Sequence, residues 1–346
     1  ESTWSPCAGW GINLFEQVLS GMKDGVLVVD PNDKIIYANP AVPSIFGIPH
    51  DEISGKRPLE AIRVVELAEL IEEVKKSRAP REKEMRIVFP VEKIVLGLAN
   101  IMDDGVAVVL RDVSEIKYLE NLRSEFVANV SHELKTPLTA IKSYTETLLQ
   151  GAVDDPKANR QFLEKIEKNV GNLSALIDDI LEISRLEARR GIAPFETVHL
   201  EEEVDRSIET LSARIKEKKL EVIKLGEPGA CEIQGEPNHI YRALLNLLDN
   251  AVKYSNPGGK IEISCKANGK TLELSAKDYG VGIAAEHHPR IFERFYRVDR
   301  ARSRELGGTG LGLSIVKHIM EIHGGRVTLE SAAGQGAKFT LIFPLT

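Results

Sequence analysis

Long apolar runs are missing from this sequence. The longest, such as Gly25–Val29 and Gly105–Leu110, fall far short of the roughly 20 residues that a membrane-crossing helix needs, and no signal peptide is visible. Cysteine is scarce: Cys7, Cys231 and Cys265 are odd in number and far apart. That spacing gives neither a disulfide framework nor a metal-ligand cluster, and it fits a reducing compartment. A surplus of positive charge is also lacking. The formal net charge of −7 argues against nucleic acid as a partner. What is present, 346 residues with 42% hydrophobic and 28% charged content, describes an ordinary soluble globular protein of two or three domains, expected in the cytoplasm. The chain starts at Glu1 rather than methionine, so a fragment with an upstream membrane anchor stays open.

Residues 1–11 have no usable periodicity and read as a tail. From Leu14 a short helix leads into GVLVVD, the turn Pro31-Asn32-Asp33 and KIIYANP, two β-rich runs that read as a hairpin. A helix is expected around Leu59–Ser77, then strands at Glu84–Phe89, Glu92–Asn100 and Gly105–Arg111. This order over residues 12–115 resembles a PAS sensor domain, with RDVSEIKYLE as its exit into a signalling helix. No cysteine stands in the Asn-Cys-Arg context of a flavin-binding PAS domain, and His50, alone in its region, reads as a solvated loop histidine. Sensing or dimerisation is expected here, without a named ligand.

Residues 116–190 carry two long amphipathic helices. In the first, Leu119, Leu122, Phe126, Val130, Leu134, Leu138 and Ile141 form a helical stripe. Its centre, SHELKTPL, crowds His132, Glu133 and Thr136 beside Pro137, which removes a backbone donor and would bend the helix. Gly151 and Asp154-Asp155-Pro156 break the pattern, and a second stripe of Phe162, Ile166, Leu173, Ile177, Ile180, Leu181 and Leu186 follows. One helical hairpin hides only one face, so two copies paired into a four-helix bundle are expected, a homodimer. Gly191 and Pro194 mark a linker.

Residues 194–346 alternate strand and helix and predict an α/β two-layer sandwich. Cys265 reads as a buried residue of a strand whose hairpin turns at Asn268-Gly269. Three blocks carry chemistry. In NLLDNAVKYS, Asn246 and Asn250 share a helix face, with Lys253 and Tyr254 one turn on. Amide oxygens suit magnesium that also takes phosphate oxygens and water, and a lysine neutralises phosphate charge. By itself the block is also a plain amphipathic helix. In DYGVGI, Asp278 offers an acceptor for an exocyclic amino group, while Gly280 and Gly282 let the backbone approach a flat base, or simply make a tight turn. In GGTGLGL, a glycine-rich loop opens a helix and presents backbone N–H groups to phosphate. It lacks the Lys-Ser/Thr ending of a P-loop and the preceding strand of a Rossmann fingerprint. Between the last two blocks, arginines at 290, 294, 297, 300, 302 and 304 suit a lid that meets phosphates.

Together the blocks resemble a bacterial two-component sensor histidine kinase, of a phosphate-regulon-sensor-like type. SHELKTPL resembles the H box, NLLDNAVKYS the N box, DYGVGI and GGTGLGL the glycine boxes, and IFERFYRVD the F box. The implied fold class is multidomain α+β: a PAS-like sensor, a dimeric helical hairpin and an ATP-binding sandwich of the GHKL type. By resemblance His132 is the phosphoacceptor, Glu133 its general base, and Thr136 positions water when phosphate is removed from the partner. Asn250 binds magnesium with help from Asn246. Lys253 and Arg297 meet phosphates, and Tyr254 lines the site. Asp278 reads adenine in a pocket shaped by Gly280 and Gly282. Gly308, Gly310 and Gly312 flank the lid, with Thr309 and Leu311 in the same nucleotide-binding loop. The implied cofactors are ATP and Mg2+, and the implied partner is a response-regulator receiver domain docking near residues 139–150. Tyr279 departs from the small or polar residue usual after the aspartate; it either faces solvent or narrows the pocket mouth. His287, His288, His318 and His323 carry no such context and default to structural or solvated roles.

Two other functions compete. ATPases with this nucleotide fold place a glutamate where this chain has Asn246, and an asparagine cannot take a proton from water. A non-catalytic dimeric adaptor would have lost Asn250, Asp278 or the glycine boxes; all are intact.

Overall fold

The computed structural model describes residues 17–49, 51, 53–188, 194–225, 231–299 and 307–345. The tail at 1–11, the helix start at Leu14, His50, Gly191 and Arg300, Arg302 and Arg304 lie outside them. Backbone packing separates two compact units, Glu1–Val127 and Ala128–Thr346.

In the first unit, strands β1 (Gly25–Val29), β2 (Ile35–Ala38), β3 (Arg81–Ile87), β4 (Lys93–Met102) and β5 (Gly105–Asp112) form an antiparallel sheet in the order β2-β1-β5-β4-β3. Alternation decides which face is covered: Leu27 and Val29 of β1 are buried with Val95, Val108 and Leu110 against Leu67, Leu70 and Val74. The helix expected at 59–77 is two, Pro58–Ala61 and Val65–Ser77, because Arg63 between them takes φ +58 and interrupts the hydrogen-bond ladder.

The second unit contains a helical hairpin and a sandwich. The long helix spans Ser114–Leu149 and continues through Pro137, where Thr136 and Thr139 hydroxyls donate back to the carbonyls of His132 (3.1 Å) and Lys135 (2.8 Å). Asp155 caps the return helix, Pro156–Glu187, accepting from the backbone N–H of Lys157 and Ala158. None of the long helix's described side chains is buried; Leu119, Leu122 and Leu138 stay exposed, as do Leu163, Ile177 and Leu181 of the return helix. Leu186, expected in the same seam, is instead buried with Leu176 and Ile183 in the core of the sandwich. No described helix is long and apolar enough to cross a membrane.

The sandwich sheet runs in the order β11-β12-β10-β9-β7, with β7 (Glu221–Leu225) parallel to β9 (Lys260–Asn268) and antiparallel pairing elsewhere. β10 is Thr271–Asp278, β11 Arg326–Ser331 and β12 Ala337–Pro344. Helices Leu200–Glu217, Pro237–Tyr254 and Gly312–Ile322 form the second layer, burying Leu211, Ile240, Leu244, Leu247, Ile315 and Ile319 against strand residues such as Ile261, Leu274 and Leu341. A small pair joins β6 (Glu196–His199), a strand expected from the run FETVHL, to β8 (Glu232–Gly235), which was not. Thr271 pairs with Asn268, so the hairpin turn is Gly269-Lys270 rather than Asn268-Gly269, with Gly269 at φ +62. Cys231, just before β8, and Cys265 of β9 form a disulfide although they are 34 positions apart in the chain. Chain separation does not measure distance in a fold, so these cysteines carry no argument for a reducing compartment. Cys265 is partly buried rather than fully buried.

Candidate active site

A cavity of about 520 Å³ opens between the helix Pro237–Tyr254, the end of β10 and the glycine-rich loop. Among its lining residues are Asn246, Asn250, Lys253, Tyr254, Asp278, Gly282, Arg297, Gly308, Thr309, Gly310 and Gly312. Three blocks far apart in the chain therefore share one concavity. Asn246 and Asn250 reach it from the same helix face. The Asn246 Nδ2 is buried and lacks a hydrogen-bond partner among the described residues.

Asp278 ends β10 and is 5% exposed. Its Oδ1 accepts from the backbone N–H of Gly280 (2.8 Å) and of Ala337 (3.3 Å). Both backbone donors fall on one oxygen, which fixes the carboxylate's orientation. Burial nevertheless pushes its pKa above the usual carboxylate range, because desolvation outweighs these bonds. The glycines beside it are also packed closely against backbone. A Cβ on Gly280 would lie 2.1 Å from the Tyr254 carbonyl oxygen, and one on Gly282, at φ +65, would lie 1.9 Å from the Ala332 oxygen. They are glycines because backbone meets backbone there.

Tyr279 turns away from the cavity. Its hydroxyl donates to Glu262 (2.7 Å), and the ammonium groups of Lys260 and Lys277 sit 4.4 and 4.5 Å from its ring centre. It does not narrow the mouth.

The cations expected at phosphates have carboxylate or carbonyl partners. Lys253 lies 2.7 Å from Asp249, whose other oxygen accepts from Arg214. Arg297, 7% exposed, donates to the Gly308 carbonyl and reaches Glu133 at 3.4 Å. Of the other described lid arginines, Arg290 pairs with Glu293 and Arg294 with Glu187. The hairpin meets the sandwich again at Asp179, 6% exposed, whose Oδ1 accepts from Arg242 (2.5 Å) and Oδ2 from Thr309 (2.7 Å). Sequence reading missed Asp179, Arg242, Asp249 and Arg214. Asp249 sits inside the asparagine block and could have been suspected; the others have no local signal.

On the long helix, the His132 side chain is 69% exposed and its Nδ1 lies 3.9 Å from Glu133 Oε1. Glu133, Thr136 and Pro137 line a second hollow of about 110 Å³ with Arg297, Gly308 and Thr309, so the glycine-rich loop meets the helix beside the histidine. His323 is structural: its Nε2 accepts from the Glu236 N–H (3.1 Å), its Nδ1 lies 2.7 Å from the Ile319 carbonyl, and burial lowers its pKa. His287 and His288 lie against Tyr296 and the Ile283 carbonyl.

Three stretches of the chain match known families. Residues 13–113 match the PAS fold, residues 122–189 the His Kinase A (phospho-acceptor) domain, and residues 235–346 the histidine kinase-, DNA gyrase B- and HSP90-like ATPase family. The sensor-like histidine kinase SenX3 of Mycolicibacterium smegmatis is 33% identical over 337 residues, covering 96% of this chain and 85% of its own length. The phosphate regulon sensor protein PhoR of Pseudomonas aeruginosa is 31% identical over 340 residues, covering 96% and 74%. The fold is also that of the histidine kinase ThkA, solved in complex with the response regulator protein TrrA, at a TM-score of 0.54 and 21% identity over 95% of this chain and 98% of that one. With matches of this extent across its whole length, the chain belongs to the two-component sensor histidine kinases.

Proposed function

We propose that His132 takes the γ-phosphoryl group of ATP and passes it to an aspartate of a response-regulator receiver domain. The observation that carries this is Arg297: one guanidinium lines the nucleotide cavity and reaches Glu133, the residue beside the histidine. Neutral His132 attacks through Nε2; the N–P bond forms as the bond from phosphorus to the β-bridging oxygen breaks, and ADP leaves. Glu133, nearest Nδ1, takes the proton that the imidazole must lose. Thr136 has its hydroxyl on the His132 carbonyl, and a role in phosphatase chemistry requires it to turn outward.

The donor set fits magnesium, which the amide oxygens of Asn250 and Asn246 would hold while phosphates and water took its other positions. Bound there, the ion neutralises phosphate charge. The exposed leucines and isoleucine of both hairpin helices are the seam with a second copy, which sedimentation at twice the chain mass would check. The exposed face near residues 139–150 receives the response regulator, and the chemistry belongs to the cytoplasm, where ATP is.

Incubation with labelled ATP and magnesium tests the function. Acid-labile, alkali-stable label on the protein, which then moves to a receiver domain, is the expected result. Rapid phosphate release with no labelled protein would favour an ATPase instead.

Adenine recognition makes a separate prediction. In Asp278→Asn the two backbone N–H groups hold the amide oxygen where Oδ1 was, which turns the amide NH2 toward the ligand. A donor then faces the adenine amino group. ATP affinity is expected to fall about a hundredfold, the scale of losing a hydrogen bond to a charged group (about 1.5–3 kcal/mol), while inosine triphosphate, with an acceptor at that edge, loses less. Equal losses for both nucleotides would refute the assignment. The raised Asp278 pKa means that the folded state holds this proton more tightly than the unfolded chain does. Stability therefore falls as pH rises from the ordinary value into the raised one, and the ionised group is a cost at neutral pH. The variant's melting temperature at pH 7 should not drop.

A further inference from the structure

We propose that Asp179 competes with the nucleotide's phosphates, so that the dimerisation hairpin sets the affinity of the kinase for ATP. This rests on the cavity being the ATP site. Asp179 is a residue of the return helix, yet it lines that cavity with Asn250, Lys253 and Asp278. Both its oxygens are engaged there, one by Arg242 and one by the hydroxyl of Thr309 in the glycine-rich loop. That hydroxyl also accepts from the Leu311 N–H (3.2 Å), just before the helix Gly312–Ile322. Asp179 thereby orients the hydroxyl and holds the loop.

The arrangement has a pattern. Thr309 is on Asp179, Lys253 on Asp249 and Arg297 on Glu133. Each group expected near the triphosphate is partnered by a carboxylate of the protein, two of the three carried by the hairpin. A triphosphate entering this cavity meets Asp179 as a like charge and as a rival for the same donor. Leu176, Asp179, Ile183 and Leu186, spaced by three and four residues, are all buried on one helix face. A turn or slide of that helix moves the carboxylate together with its packing, which gives the hairpin a direct mechanical hold on the loop. Asp179 is in this sense a positioning residue, acting through Thr309.

The test uses the full chain and its Asp179→Ala and Asp179→Asn variants, with a fluorescent ATP analogue and with adenosine as a competitor. Asp179→Ala should bind the analogue about tenfold more tightly, the order of effect when one charge-assisted hydrogen bond stops competing. The KM for ATP in autophosphorylation should fall with it. Asp179→Asn, equal in size, should shift the same way by less, and it decides the matter if the alanine variant does not fold. Adenosine, which has no phosphates, should bind all three proteins equally. Unchanged or weaker ATP binding in the variants would overturn the proposal, as would adenosine and ATP tightening together, which marks general loosening. Failure of the unaltered chain to bind the analogue would refute the nucleotide site itself.

Discussion

In His132→Gln, label from ATP is expected to be absent from the protein, while the affinity for ATP stays within a factor of about two. Glutamine keeps the polarity and much of the bulk of histidine and is at least as good a helix former, so the hairpin persists. It has no nitrogen lone pair able to attack phosphorus. The side chain it replaces is largely solvent-exposed and does not line the nucleotide cavity, so binding has no reason to change. His323 is buried with both ring nitrogens in contact with backbone groups, and His287 and His288 are held against Tyr296 and the Ile283 carbonyl. Residual acid-labile label in the variant would mean a different acceptor. Loss of ATP binding alongside the label would mean that the substitution had disturbed more than the nucleophile.

Glu133→Gln separates proton transfer from binding. The amide preserves shape and helix propensity but cannot take the Nδ1 proton, so the rate of autophosphorylation is expected to fall about 10²- to 10⁴-fold, the usual share of a general base. Glu133 stands 3.9 Å from His132 and 3.4 Å from Arg297, so one carboxylate is shared between the histidine and a cation of the nucleotide cavity. Removing its charge therefore weakens a contact on Arg297 as well as the base. Single-turnover measurement at saturating ATP isolates the chemical step. A fall confined to KM, with the rate at saturation intact, would assign Glu133 to holding Arg297 and not to moving a proton.

Much of the fold was legible in local pattern. Period-two alternation marked the strands on either side of Gly269, and three-four spacing marked both long helices, because each periodicity records which face of an element is covered. Errors arose where the covering partner was remote. Leu186 and Ile177 share the same apolar spacing, yet one is buried against the sandwich and the other is exposed. Periodicity shows that a face is apolar and leaves open what covers it. Gly280 and Gly282 were correctly singled out for close approach, but the approaching groups are the Tyr254 and Ala332 carbonyls. Tyr279 had two possible orientations until Glu262 and Lys260 of β9 and Lys277 two residues before it drew it outward.

By itself the sequence determined most of the elements and the kinase motifs, because helix spacing and the chemistry of each side chain are local properties. Tertiary structure decided the company those groups keep. It joined Cys231 to Cys265 across 34 positions, set Arg214 and Lys253 on Asp249, and brought Asp179 of the hairpin to Thr309 of the glycine-rich loop. Each of these depends on chain segments that meet only once the hydrophobic faces have packed, and a side chain's partner across such a meeting leaves no trace in the residues beside it.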